Sequence, residues 1–345
     1  AMMPPAGPTL RRLLTIATCA LLLAACSMIG RQDPKVFKGQ FSPSGKYYAY
    51  IYYSVFMTSY QRNGGRTVSS GILTNYFQVI DTETGQKLLL KPLKLKKFDC
   101  QYPSIGAVSD AYVLVSCRGE DGKGAAPMVF SIEARAVTLT RKGVVERNPG
   151  LAIDHVESWA FYRRAQTPGA FFVEGNDGRK YQLDPQSGIA KLADGEFERV
   201  DLMNSLDGDL PKGLREAGET RRFIERSGYG DKPRSQSDFL EPKYLALGAG
   251  TGHSEPATLY AGGFLVLSKT VKDSGQNKLL TMADAETLAT RWSTPLPQPR
   301  GDWANGFDTE QFVLRGKQLL VANSSQLLLV DLDNGALLRN VSLLE

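Results

Sequence analysis

Histidine is nearly missing from this 345-residue chain, which holds only His155 and His253, and cysteine is scarce at four. That scarcity bears directly on chemistry. Zinc and iron centres gather several His, Cys and carboxylate ligands at workable spacing, and neither HExxH nor CxxC occurs. A serine nucleophile needs an oriented imidazole. His253-Ser254 lacks the framing of a nucleophile elbow, because Pro256 stands where glycine belongs. Gly248, Gly250 and Gly252 fail the dinucleotide pattern, since His253 falls at the third required glycine. The stretch from Gly39 through Gly45-Lys46 is one residue too long for a phosphate loop, and Tyr47 replaces its Ser or Thr. An excess of one charge is also missing, with 41 Lys and Arg against 36 Asp and Glu. The chain therefore carries no electrostatic footprint of a nucleic-acid binder. No catalytic residue, metal, cofactor or nucleic-acid partner is expected.

The most apolar stretch, residues 13–25 (LLTIATCALLLAA), follows Arg11 and Arg12 and runs straight into Cys26. As a helix it would reach about 20 Å, short of a bilayer core of roughly 30 Å. A basic start, an apolar run and small residues before a cut are the layout of a secretory signal and not of a spanning helix. Leu23-Ala24-Ala25-Cys26 resembles the lipobox of bacterial lipoproteins. The resemblance implies diacylglycerol on the Cys26 sulfur, cleavage before Cys26, and acylation of the new amino group. Residues 1–25 are then the signal peptide and 26–40 a lipidated tether, leaving a body over 41–345. Ser27, where an aspartate would imply inner-membrane retention, favours the outer membrane, with the body facing the periplasm. Without Arg11 and Arg12 the mature chain has a net charge of +3. Of the four cysteines, Cys100 and Cys117 remain after Cys19 and Cys26 are set aside. In an oxidising compartment an even pair reads as a disulfide, with two buried thiols as the alternative.

A repeat organises the body. Five segments share an apolar strand, a turn rich in Asp, Gly, Asn or Ser, and a second strand: 76–90, 128–140, 180–192, 279–292 and 327–341. Taking Asp81, Glu133, Asp184, Asp284 and Asp331 as equivalent gives intervals of 52, 51, 100 and 47, a period of 50 with one unit near 195–250 lacking its signature. A further strand precedes each hairpin (46–53, 111–117, 170–175, 263–270 and 318–324), and a weaker one precedes some of these, as in 157–164 and 310–316. Asn176-Asp177-Gly178 is a tight-turn signal, because those residue types tolerate positive φ. Four short antiparallel strands bury too little surface to stand alone, but a radial stack buries both faces of each sheet. The chain is expected to be all-β, a β-propeller of about six, or seven, four-stranded blades. A two-sheet sandwich is the competing architecture, disfavoured by the long unbroken period. Residues 210–228, with Pro211 early and Gly228 last, read as a short surface helix inserted in the fourth unit.

Met282-Ala283-Asp284-Ala285-Glu286-Thr287 followed by Trp292 resembles the quinoprotein-like (PQQ-type) propeller repeat, and Phe41-Ser42-Pro43-Ser44-Gly45-Lys46 is similar to the blade openings of WD40-type and Tol-type propellers. The quinoprotein resemblance would imply a quinone held against adjacent cysteines. This sequence has no Cys-Cys pair, so the repeat carries over and the cofactor site does not.

Propellers bind through the loops at their two ends. The longest inter-strand loops are expected at 54–74, with Phe56, Tyr60 and Arg62, and at 297–308, with Arg300, Trp303 and Phe307. Aromatics beside arginine are the composition of interaction hot spots. Lys91, Lys94, Lys96 and Lys97 read as protective edge charge. The expected function is a membrane-anchored scaffold for envelope proteins. The alternative is an enzyme or glycan-binding propeller whose site is assembled from the loops of separate blades.

Overall fold

The computed structural model describes residues 30–31, 34–63, 66–118, 125–151, 153–155, 161–163, 171–193, 198–200, 239–244, 259–272, 275–287, 289–297 and 311–344. The chain is mostly strand, arranged in antiparallel sheets that follow one another along the sequence. The first sheet holds β1 (Gly30–Arg31), β2 (Lys35–Phe41), β3 (Tyr47–Asn63), β4 (Arg66–Asp81) and β5 (Leu93–Lys94). Residues 30–31 and 35–40 of the expected tether are therefore in strands of this sheet. The second sheet runs in order through β6 (Gln101–Val108), β7 (Tyr112–Arg118), β8 (Ala125–Ser131) and β9 (Ala136–Leu139). Helix α1 (Arg141–Arg147) follows, started by Thr140, whose Oγ1 accepts from the Gly143 amide at 3.1 Å.

The third sheet joins β10 (Ile153–His155) to β12 (Phe171–Gly175), β13 (Lys180–Leu183) and β14 (Ala190–Leu192), while β11 (Phe161–Arg163) pairs with β15 (Glu198–Val200). The weak strand expected over 157–164 is thus not part of the third unit; β10 takes that place. β16 (Phe239–Tyr244), β17 (Leu259–Tyr260), β18 (Gly263–Lys272), β19 (Gly275–Asp284) and β20 (Thr290–Leu296) form the fifth sheet. The sixth runs through β21 (Gln311–Arg315), β22 (Gln318–Ala322), β23 (Gln326–Asp331) and β24 (Leu337–Ser342). Four of the five expected hairpins are present; in the first, 76–90, the turn forms but the returning chain makes only an isolated bridge from Lys87 to Ile80, and the fourth strand comes later as β5. The stretch 54–74 is not a loop. β3 and β4 stay paired from Tyr47↔Asp81 to Asn63↔Arg66. The expected helix at 210–228 lies outside the described residues.

Packing explains why the strands read as nearly continuous apolar runs. In β3, Ala49 and Ile51 face the second sheet, where Val113, Val115, Cys117, Met128 and Phe130 meet them. The alternate residues Tyr48 and Tyr50 face Leu320, Ala322, Leu327 and Leu329 of the sixth sheet. The second sheet turns Leu114, Ala126 and Val129 toward Phe171, Val173 and Leu183 of the third. The sixth turns Leu319, Val321, Leu328 and Val330 toward Leu265, Leu267, Leu280 and Met282 of the fifth. Sheets one, two and six are therefore buried on both faces, and the first sheet in the chain packs on the last.

The turns between third and fourth strands share one geometry. Asp81 Oδ1 accepts from the Glu83 and Thr84 amides at 2.8 and 2.9 Å, and Asp284 Oδ1 accepts from the Glu286 and Thr287 amides at 3.0 and 2.9 Å. Asp184 and Asp331 each accept one such bond, at 3.0 and 2.7 Å. Gly85, Gly188 and Gly335 then take positive φ of 74°, 71° and 74°, a region that favours glycine. In the second sheet the equivalent of these aspartates is Ser131, not Glu133. Ser131 Oγ accepts from the Ala134 amide at 3.2 Å, and Arg135, at φ 50°, replaces the glycine.

Candidate functional site

The features that could carry function are an extended hairpin, a set of joints between sheets, and the carboxylates of the turns. The hairpin arises because its flanking strands stop early. β2 accompanies β3 only from Phe41↔Tyr48 to Lys35↔Tyr53, and β5 touches β4 only at Tyr76 and Phe77. Beyond these points the two strands continue as an arm. Among the described residues the strand that pairs with it is β1, which sets Gly30 against Met57 and Arg31 against Phe56. Phe56 stands opposite Ile72, and Val55 opposite Leu73, so Ile72 and Leu73 lie on opposite faces of the arm. Phe56 is 51% exposed, Ile72 62% and Leu73 56%, which leaves apolar side chains open to solvent on both faces. From Ser54 to Asn75 there is no acidic residue, and Arg62 and Arg66 flank the turn in sequence.

The expected contact residues divide accordingly. Phe56 is exposed on the arm. Tyr60 and Arg62 belong to β3, where the backbone alone is described. Arg300, Trp303, Phe307 and Cys26 lie outside the described residues, as does His253. Cys100 and Cys117 form a disulfide across a Cα–Cα distance of 4.6 Å, buried between the first and second sheets. Lys94 lies on the edge strand β5, and Lys91, Lys96 and Lys97 are exposed beside it.

The joints between sheets carry no sequence motif, and they repeat. Trp292 of β20 donates from Nε1 to the Leu332 carbonyl at 2.9 Å, and its ring lies so close to Gly335 that a Cβ there would sit 2.5 Å away. Arg339 of β24 occupies the same place relative to its own hairpin. Its Nη1 donates to the Thr82 and Glu83 carbonyls of the first sheet, the former at 3.2 Å, and its stem lies against Gly85. Leu139 of β9 repeats the position against Gly188 of the third sheet. There α1 adds Asn148, whose Nδ2 donates to the Gly188 carbonyl at 2.8 Å and whose Oδ1 accepts from the Ala190 amide at 2.7 Å. The fourth strand of one sheet thus seats under the turn of the next at three joints: second to third, fifth to sixth, and sixth to first.

The shifted carboxylates belong to turns and joints. The Arg291 guanidinium, 2.7 Å from Asp284, and the turn amides hold the Asp284 carboxyl well below the ordinary range. Lys317 Nζ at 2.8 Å and the Tyr260 hydroxyl at 3.0 Å lower Asp333, and the bond from Tyr260 ties the fifth sheet to the sixth. Burial pushes the Tyr48 and Tyr50 hydroxyls up. Among the described residues no three His, Cys, Asp or Glu side chains gather as a metal site, and no helix is long and apolar enough to cross a membrane.

No family model matches the chain, and no curated protein matches it. Among solved structures, the WD40 domain of SCAP from fission yeast aligns at 13% identity and a TM-score of 0.23, over 91% of this chain and 57% of that one. The Dos1 propeller aligns at 10% identity and a TM-score of 0.20, over 91% of this chain and 75% of that one. The chain spans little more than half the length of the first. Both scores are low, and the architecture rests on the sheet order and packing given above.

Proposed function

We propose that the chain is a lipid-anchored β-propeller of the bacterial cell envelope that serves, without catalysis of its own, as a scaffold for envelope proteins. The observation that carries the propeller is the joint that recurs between sheets, including the one that seats the last sheet on the first. A sandwich has no reason to place Leu139, Trp292 and Arg339 in one geometry against successive turns, whereas a radial stack of about six or seven blades does so by its symmetry. The scaffold reading draws on the architecture, since propellers present loops at the ends of their stack. The anchor at Cys26 draws on the lipobox resemblance and on Ser27, which favours an outer-membrane protein facing the periplasm. Arg300, Trp303 and Phe307 are the residues assigned to the protein partner.

Affinity purification after gentle detergent extraction of the membrane tests this function. A partner recovered in stoichiometric amount, lost on combined Trp303→Ala and Phe307→Ala substitution, is the expected result. Recovery of the protein alone, with turnover or retention of a glycan or peptide, overturns the scaffold in favour of a site built from loops.

A further inference from the structure

The arm built by β3 and β4 stands close to the place where the lipid would leave the chain. Three residues lie between Cys26 and Gly30 in the sequence, four steps of chain that span at most about 14 Å when fully extended. Gly30 and Arg31 are in turn paired with Met57 and Phe56 of the arm. Acyl chains on Cys26 therefore hold this flank of the arm at the bilayer surface, whichever way the body leans.

The chemistry of the arm fits that neighbour. Phe56, Ile72 and Leu73 are more than half exposed, and they occupy both faces, where a single protein groove would cover one. The arm carries Arg62 and Arg66 and no acid, and Arg31 lies beside it on β1, a balance that suits anionic headgroups. We propose that the β3–β4 arm is a second membrane contact, seating Phe56, Ile72 and Leu73 in the interfacial layer of an anionic bilayer. The proposal rests on Cys26 being the lipidated residue, and it assigns Phe56, Tyr60 and Arg62 to lipid and not to a protein partner. The seat is interfacial and not transmembrane. Beyond the short pairing with β1, the two strands expose backbone N–H and C=O groups along their edges, which hydrocarbon cannot satisfy but water and headgroups can. A flexible lipid tether leaves a body free to tumble, and a second contact fixes which side of it faces the membrane.

The test uses the full lipidated protein in vesicles of phosphatidylethanolamine and phosphatidylglycerol. A polarity-sensitive fluorophore is attached through Ile72→Cys or, as a control, through Ile189→Cys on the exposed turn of the third sheet. Cys100 and Cys117 are tied in their disulfide and do not compete for the label. The expected result is a blue shift at position 72, quenching by spin-labelled lipid, and protection from iodide, with none of these at position 189. Adding Leu73→Asp to the position-72 variant abolishes the shift, and circular dichroism checks that the strands persist. A label at position 72 that stays open to iodide on vesicles overturns the arm as a lipid contact. So does shielding that appears only when another protein is added. The mass of the Cys26 peptide separates the two readings. Acylated Cys26 with a wet label at 72 defeats the arm alone, whereas unmodified Cys26 defeats the anchor and the arm with it.

Discussion

Single side chains do two kinds of work in this molecule: they close turns and they cross from sheet to sheet. Tyr50 crosses. Fully buried, it donates its hydroxyl to the Leu343 carbonyl at 2.6 Å, from the first sheet to the end of the last. Tyr50→Phe leaves that carbonyl without its partner, at a cost of about 1–3 kcal/mol, measured as a lower midpoint in urea with an unchanged slope. Asp284 closes a turn, and its effect depends on pH. Its carboxyl lies below the ordinary 3.8 in the fold because Arg291 and the turn amides favour the charged form. The stability it supplies is therefore complete above about pH 4 and is lost as pH falls through the depressed folded value. Asp177, Asp184 and Asp333 are lowered in the same sense, so acid loosens several turns together. Asp284→Asn keeps an acceptor for the amides and removes the charge. Its thermal midpoint is expected to fall less steeply below pH 4 than that of the parent, and equal slopes would refute the assignment.

At the scale of elements, the hairpins were legible because Asp and Gly stand at fixed offsets around a turn that requires positive φ. The second unit broke the pattern: Ser131 closes the turn in place of Asp, Arg135 replaces Gly, and Glu133 attracts the eye two residues away. The arm was misread as a loop because Gly64-Gly65 and a run of Ser, Thr and Asn carry little strand signal, and pairing with a partner strand outweighed that weak local preference. Helix α1 has little sequence signal, as a seven-residue element containing Gly143. The joints were invisible in sequence for a different reason: Leu139, Trp292 and Arg339 share a place and no chemistry. The disulfide expected from cysteine arithmetic is present. It closes a span of 17 residues that takes in β6 and most of β7. Removing it by combined Cys100→Ala and Cys117→Ala is expected to cost about 3 kcal/mol, by the loop-entropy relation. Chemical denaturation with and without reductant provides the same comparison. At the fifth-to-sixth joint, Gly335→Ala meets both a strained φ and the Trp292 ring, and a loss of the native tryptophan emission on mild heating is the expected sign.

For the molecule as a whole, the period of about 50 residues predicted serial four-stranded sheets; the structure places antiparallel sheets one after another, three of four strands, two of five and one of two, with both faces of several buried. Sequence spacing could not show which sheet meets which, since that is decided by side chains on alternate faces of each strand. Deleting residues 311–345 strips the cover from Phe41, Tyr48, Tyr50 and Ile80. The truncated chain is expected to aggregate or to lose cooperative unfolding, as seen by size-exclusion chromatography and calorimetry. A soluble remnant with a sharp transition would mean that the contact between first and last sheets is dispensable. That contact has a particular weakness. Among the described residues, no strand of the sixth sheet pairs in a ladder with a strand of the first. The two are clasped by apolar side chains, by Tyr50, Arg315 and Arg339, and by one long backbone bond from Val36 to Ser324. Neighbouring sheets elsewhere are linked through the chain itself, and this pair is not. A load that drew them apart would find the clasp here and part it without unravelling a single ladder.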